Sequence, residues 1–202
     1  MLKEIRPAIV FLIALTAITG LVYPLAMAGI AQAIFPWQSQ GSLIEQDGKV
    51  IGSTLIGQEF TSDRYFHGRP SATTGPDPAD STKTTSVPYN AANSMGANLG
   101  PTNKALIERV QGDVEKLKQE NPSMPVPIDL VTTTASGLDP DISPDAARFQ
   151  VPRVAKARNI PEGQVQQLVD ANVQGRWLGI LGEPRVNVLA LNMALDRATA
   201  TR

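Results

Sequence analysis

From Pro7 to Ile44 the chain carries no charged side chain, and as far as Phe35 it is built mostly of Ala, Ile, Leu, Val, Phe, Gly and Thr. Crossing roughly 30 Å of hydrocarbon takes about 20 helical residues at about 1.5 Å each, so residues 7–35 suffice for one membrane span with tilt. No second stretch qualifies. The tail, residues 1–6, holds Lys3 and Arg6 against Glu4, and basic residues beside a span favour the cytoplasmic side. The N-terminus is therefore expected in the cytoplasm and the main domain outside. A cleavable signal peptide is the competing reading, because Ala26-Met27-Ala28 and Ala31-Gln32-Ala33 fit a small-x-small cleavage pattern. Signal cores run only about 7–15 residues. Here the apolar run reaches Phe35-Pro36-Trp37, which fits an aromatic anchor at the far interface, so a retained single-pass anchor is expected.

Within the span, Thr16, Gly20 and Pro24 recur at four-residue spacing, and Gly29 and Ala33 repeat the interval. One stripe thus lacks bulk and suits close approach by a partner helix, although small residues are common in membrane helices generally. Pro24 has no N–H to give the carbonyl of Gly20, which predicts a kink there.

Two of the 18 basic and one of the 19 acidic residues precede the span, leaving 16 against 18 and a net charge of −2 outside it. That balance gives no reason to expect nucleic acid. Cysteine is absent, so the chain forms no disulfide or thiolate metal site, and compartment must be read from topology. Residues 36–202 have the size of one domain, and the element pattern predicts class α+β. Ser42–Glu45 and Lys49–Leu55 flank an Asp-Gly turn and read as a hairpin. Leu106, Ile107, Val110, Val114 and Leu117 follow helical spacing up to Asn121-Pro122. Ser143-Pro144 starts a second helix and Asn159 with Pro161 a third. Val186 to Leu191 is strand-like, with Leu191–Arg197 equally compatible with a helix. Residues 71–102 are rich in Ser, Thr, Asn, Gly and Pro, with Asp77, Asp80 and Lys83 the only charges. No regular element fits that stretch, and Tyr89 with its turn residues favours an ordered polar loop laid on a partner.

Motifs for catalysis are missing. The chain has one histidine, no Gly-x-Ser-x-Gly elbow, no phosphate-cradling Gly-x-x-x-x-Gly-Lys-Ser/Thr loop and no Gly-x-Gly-x-x-Gly. No catalytic residue is assigned. Asp139-x-Asp141-x-Ser143 has the opening spacing of a calcium loop but lacks its glycine and closing glutamate, so helix capping is the better reading and no metal site is assigned. The tract Tyr65-Phe66-His67-Gly68-Arg69-Pro70 is either a recognition surface for an anionic or carboxylate group, or a rigid turn whose aromatics fill the core while Arg69 satisfies carbonyls. Arg148, Arg153, Lys156 and Arg158 form the basic cluster, readable as a phosphate site or as a solvated docking face, with Pro152 expected to kink its helix. Ile160-Pro161-Glu162-Gly163-Gln164 weakly resembles the ABC-transporter signature Leu-Ser-Gly-Gly-Gln, while Pro161 and Glu162 equally fit first-turn helix chemistry.

Ordered blocks run almost the length of the chain: Arg6-Pro7-Ala8, Tyr23-Pro24-Leu25, Phe35-Pro36-Trp37-Gln38, Gly41-Ser42-Leu43-Ile44, Leu55-Ile56-Gly57-Gln58, residues 65–73, Asn98-Leu99-Gly100-Pro101-Thr102-Asn103, Ser136-Gly137-Leu138-Asp139-Pro140, residues 153–158 and Val186-Asn187-Val188. Together they resemble the KdpC subunit of the bacterial Kdp potassium-transporting P-type ATPase. Ala97, where the family is expected to have Ser, and Asp141, where His is frequent, depart from it.

The resemblance implies a non-catalytic accessory subunit of a four-subunit pump in the bacterial inner membrane, with no firmly bound cofactor. Its implied partners are a channel-like potassium-binding subunit, a P-type ATPase subunit, a small single-helix subunit and the lipid bilayer. Candidate partner-binding residues are Thr16, Gly20, Pro24, Tyr65, Phe66, His67, Arg69 and Tyr89. The alternative is a catalytic chaperone that binds ATP together with the ATPase subunit, for which the candidates are Arg153, Lys156, Arg158 and Gln164. That role conflicts with an external domain, since ATP is cytoplasmic. A secreted binding protein released by signal cleavage is the third reading.

Overall fold

The computed structural model describes residues 2–200, and the chain divides into two compact units at Ser53/Thr54. In the first unit a continuous helical rod is made of α1 (Leu2–Ala17), a π turn (Ile18–Val22) and α2 (Tyr23–Ile34). The apolar helix Lys3–Ile34 is 32 residues long, roughly 48 Å, and none of its residues is buried. The tail expected at residues 1–6 is helical from Leu2 onward, so Lys3 and Arg6 belong to α1. At the position of the expected kink the helix takes a π turn. Tyr23 donates to Ile18 O, five residues back, and Thr19 Oγ1 donates to Leu15 O at 2.7 Å. Pro24 has no N–H and its ring crowds the carbonyl four residues back, so a wider turn just before it relieves both defects. Helix α2 stops at Ile34 because Phe35 leaves helical geometry (φ −129°, ψ 62°), and a single turn, α3 (Pro36–Ser39), follows.

Strands β1 (Leu43–Gln46) and β2 (Lys49–Ser53) pair antiparallel around Asp47 (φ 51°) and Gly48 (φ 72°), the positive-φ pair that a two-residue type I′ hairpin requires. The hairpin expected from Asp-Gly is therefore present. Trp37 Nε1 donates to Leu43 O at 2.9 Å and Ser53 Oγ to Gly41 O at 2.7 Å, closing this unit.

The second unit is built around α5 (Pro144–Arg158). Ser143 Oγ accepts from Ala146 N at 3.0 Å, and Pro144 sits in the first turn, where its missing N–H is harmless. Helix α5 runs through Pro152 and ends in a Schellman motif: Asn159 takes φ 55°, its N–H reaches Lys156 O at 3.2 Å, and Ile160 N reaches Ala155 O at 3.1 Å. Asn159 thus terminates α5 rather than capping the next helix, which is α6 (Glu162–Ala171) with Pro161 before it.

A three-stranded antiparallel sheet, order β5 (Asp141–Ile142), β7 (Arg185–Asn187), β6 (Val173–Gln174), adjoins them. Val188–Leu191, read as strand-like, are helical and open α7 (Val188–Ala200). Phe66, Phe149, Val154, Val165, Val169, Val186, Leu191 and Leu195 meet in one core, each fully buried. Leu106, Val110, Val114 and Leu117 form the half-buried stripe of α4 (Lys104–Glu120), but Ile107 is exposed. The polar loop at 71–102 holds a short hairpin that composition did not announce, β3 (Thr74–Pro76) with β4 (Thr84–Ser86). Its turn is held by Asp80, which accepts from Thr82 N and Oγ1 and pairs with Lys83 at 3.1 Å. Those bonds hold the Asp80 carboxyl below its ordinary range.

Candidate functional site

Residues 62–70 run across α5 and α7 without joining any strand, and their carbonyls must find donor partners elsewhere. Side chains supply them. Ser62 O meets His67 Nε2 at 3.1 Å; Asp63 O and Tyr65 O accept from Arg153 Nη1 at 2.8 and 3.0 Å; Arg64 O accepts from Arg158 Nε at 2.7 Å. Phe66 and His67 are gripped at both ends. Asn192, on α7, accepts from Phe66 N at 2.8 Å and donates to Phe66 O at 3.0 Å, while Gln150, on α5, accepts from His67 N at 2.8 Å and donates to His67 O at 3.1 Å. Both amides are 2% exposed. Each does for one residue what a neighbouring strand does in a sheet. Arg69 O accepts from the Tyr89 hydroxyl at 2.7 Å, and Pro70 O from Thr134 N at 3.3 Å.

The two candidate groups, the aromatic tract and the basic cluster, thus form one assembly. Arg153 also reaches Glu120 at 2.8 Å and Gln150 Oε1 at 2.6 Å, leaving its side chain 10% exposed. Arg158 lies 2.7 Å from Asp196 Oδ1 as an ion pair off hydrogen-bonding angle, donates to Thr199 at 3.0 Å, and sits 4.8 Å over the Tyr65 ring. Tyr65 in turn donates to Asp196 Oδ2 at 3.1 Å. Neither arginine belongs to a solvated face, because their guanidinium groups are the donors that the tract's backbone lacks. Arg148 pairs with Asp145 and Asp170 on the surface. Lys156 is exposed and Gln164 half-buried, and neither joins the assembly. Arg69 pairs with Asp139 at 3.1 Å; it does not satisfy the tract's carbonyls, a task that falls to Arg153, Arg158, Gln150 and Asn192. Phe66 is wholly inside the core and has no surface to offer a partner. Burial, then the charge of Arg153, lowers the His67 pKa.

Tyr89 takes φ 56° and lays its ring against two glycines. A Cβ on Gly57 would stand 2.5 Å from Tyr89 Cε1 and 2.6 Å from Asp139 O; a Cβ on Gly68 would overlap the Tyr89 hydroxyl. Ser71 Oγ accepts from Tyr89 N, and Thr73 Oγ1 from Asn90 N, both at 3.0 Å, so this part of the polar loop is fastened to the domain. Burial pushes the Tyr89 phenol up to about 12. Asp139, Asp141 and Ser143 are likewise occupied: Asp139 with Arg69, Asp141 with Arg185 and Asn187, and Ser143 with Asp129 and the α5 cap. Burial raises the Asp141 pKa. Thr16, Gly20 and Pro24 lie on the exposed surface of the apolar helix, Gly20 inside the π turn.

Sequence reading missed Gln150 and Asn192. Their signal was available as single amides on otherwise apolar stripes, Ala146-Ala147-Phe149 to Val154 and Val188-Leu191 to Leu195, where a polar side chain needs a partner.

An apolar helix long enough to cross a membrane, joined to an α+β domain whose polar side chains bind its own backbone, defines a single-pass membrane protein with an appended α+β domain. A family model described as "KdpC: K+-transporting ATPase, c chain" matches residues 5–197. The chain is 76% identical over 200 residues to the potassium-transporting ATPase KdpC subunit of Bradyrhizobium diazoefficiens, covering 99% of this chain and 100% of that one. It is 72% identical over 198 residues to the protein of that name from Rhodopseudomonas palustris strain BisB18 (98% and 100% covered) and 66% over 196 residues to that of Methylobacterium nodulans (97% and 98%). The chain belongs to the KdpC family of potassium-transporting ATPase subunits.

Proposed function

We propose that this chain is a non-catalytic accessory subunit that assembles a potassium pump through its membrane helix and holds a rigid domain outside the bacterial inner membrane. The observation that carries the reading is an apolar helix 32 residues long, none of them buried, with Thr16, Gly20 and Pro24 spaced along it. Such a helix has side-chain packing to gain from neighbouring spans, and small residues permit close backbone approach. Domain rigidity supports a docking role beside the channel-like subunit, with the 77–83 turn its exposed projection. Arg153 and Arg158 are engaged internally, which weighs against the ATP-chaperone reading. Gly20→Leu is expected to lower co-purification with the pump's other membrane subunits, while Leu12→Ala leaves it unchanged. Equal recovery of both variants refutes the helix interface.

A further inference from the structure

The hairpin joining β6 to β7 ends in an apolar tip that the fold leaves bare. Trp177, Leu178, Ile180 and Leu181 are 68%, 73%, 75% and 53% exposed, although large apolar side chains on a soluble surface ordinarily occur singly. The loop is closed upon itself. Trp177 N donates to Leu181 O at 2.8 Å, Leu181 N to Trp177 O at 2.9 Å, Gly179 N to Arg176 O at 3.1 Å and Ile180 N to Trp177 O at 3.2 Å. Leu178 (φ 52°) and Gly179 (φ 77°) make the turn. At its base Arg176 Nη2 reaches both oxygens of Glu183, at 2.9 and 2.7 Å, so the nearest charges cancel.

We propose that this tip inserts into the interfacial layer of the same bilayer that holds the chain's own helix, as a second, shallow membrane contact. Backbone polar groups are costly to immerse in lipid, and the paired Trp177 and Leu181 together with the two further loop bonds satisfy four of the five N–H groups of residues 177–181, which suits a shallow position in the hydrated interface and not the hydrocarbon core. Tryptophan beside aliphatic residues is the composition of the membrane interface. The occupant is within reach because residues 35–53, which lead from the helix to the second unit, are folded back on themselves, with Ser53 Oγ 2.7 Å from Gly41 O, and form no long tether. A unit of this length has a radius of gyration of only about 15 Å. With its base neutral, insertion depends on apolar burial and not on anionic lipid.

The chain has two tryptophans, so Trp37→Phe leaves Trp177 as the sole emitter, and Trp177→Phe supplies the subtraction should the first variant misfold. Both are reconstituted as full chains into phosphatidylcholine vesicles with bromine on the acyl chains, and again as the assembled pump in the same lipid. The expected result is at least a twofold quenching of Trp177 by bromolipid and protection from aqueous iodide in both preparations, unchanged by added phosphatidylglycerol. Leu178→Asp/Ile180→Asp is expected to abolish the quenching with an unchanged melting temperature. Iodide quenching without bromolipid quenching overturns the proposal. Bromolipid quenching that vanishes on assembly overturns it as well, assigning the tip to an apolar pocket on another subunit.

Discussion

Replacing Asn192 tests whether two buried amides hold the 62–70 segment in place of a strand. Asn192→Leu keeps the volume but strands both Phe66 N, now 2.8 Å from its acceptor, and Phe66 O, 3.0 Å from its donor. At about 1–3 kcal/mol per unsatisfied buried group the loss is about 2–6 kcal/mol. For a domain of this size that lowers the melting temperature by roughly 6–18 °C. Asn192→Asp behaves differently. Protonated, its carboxyl still donates to Phe66 O; ionised, it sets a charge against that carbonyl at a site 2% exposed. The folded-state pKa is thus raised above the unfolded value of about 4 by as much as 3–5 units. The fold then binds the proton more tightly than the unfolded chain, so stability is highest below about pH 4 and falls by about 1.4 kcal/mol per pH unit until the folded pKa is passed. Thermal unfolding of the purified full chain in detergent, followed by near-ultraviolet circular dichroism from pH 4 to 8, measures both variants. A melting temperature for Asn192→Leu within 2 °C of the parent, or an Asn192→Asp loss independent of pH, refutes the clamp.

Gly68→Ala drives its methyl into the Tyr89 hydroxyl and is expected to destabilise by about 1–3 kcal/mol, with much of the loss recovered by adding Tyr89→Phe. Gly57→Ala meets the Asp139 carbonyl as well, which no change at Tyr89 relieves, so a double-mutant cycle in denaturant should show coupling for Gly68 and much less for Gly57. His67, with its pKa lowered by burial and by Arg153, resists protonation when folded. Stability is therefore expected to fall as the pH drops below about 6.5, the unfolded value, and to level off below the folded one. His67→Gln keeps an N–H for Ser62 O and should flatten that slope; an unchanged slope in pH-resolved melting curves refutes the assignment to His67.

The span, the Asp-Gly hairpin, the capped start of α5 and the α+β class are legible in sequence because each is set by local chemistry: length and apolarity, a positive-φ turn pair, a serine before proline. Boundaries that depend on competing local options went otherwise. Asn159 has the chemistry of an N-cap and of a left-handed C-cap, and Val188–Leu191 suits a strand or a helix; packing of α5 and α7 around the core chose between them. Tertiary structure alone decided what the charged and aromatic residues do. Arg153 and Arg158 read as an anion site from their spacing, but their donors are turned to the carbonyls of residues 63–65, almost ninety or more positions away in sequence. Those carbonyls have no strand beside them, and the guanidinium donors of α5 supply the hydrogen bonds that a neighbouring strand would. Sequence lists the donors and acceptors that a fold must satisfy, and only the packed chain determines which of them meet.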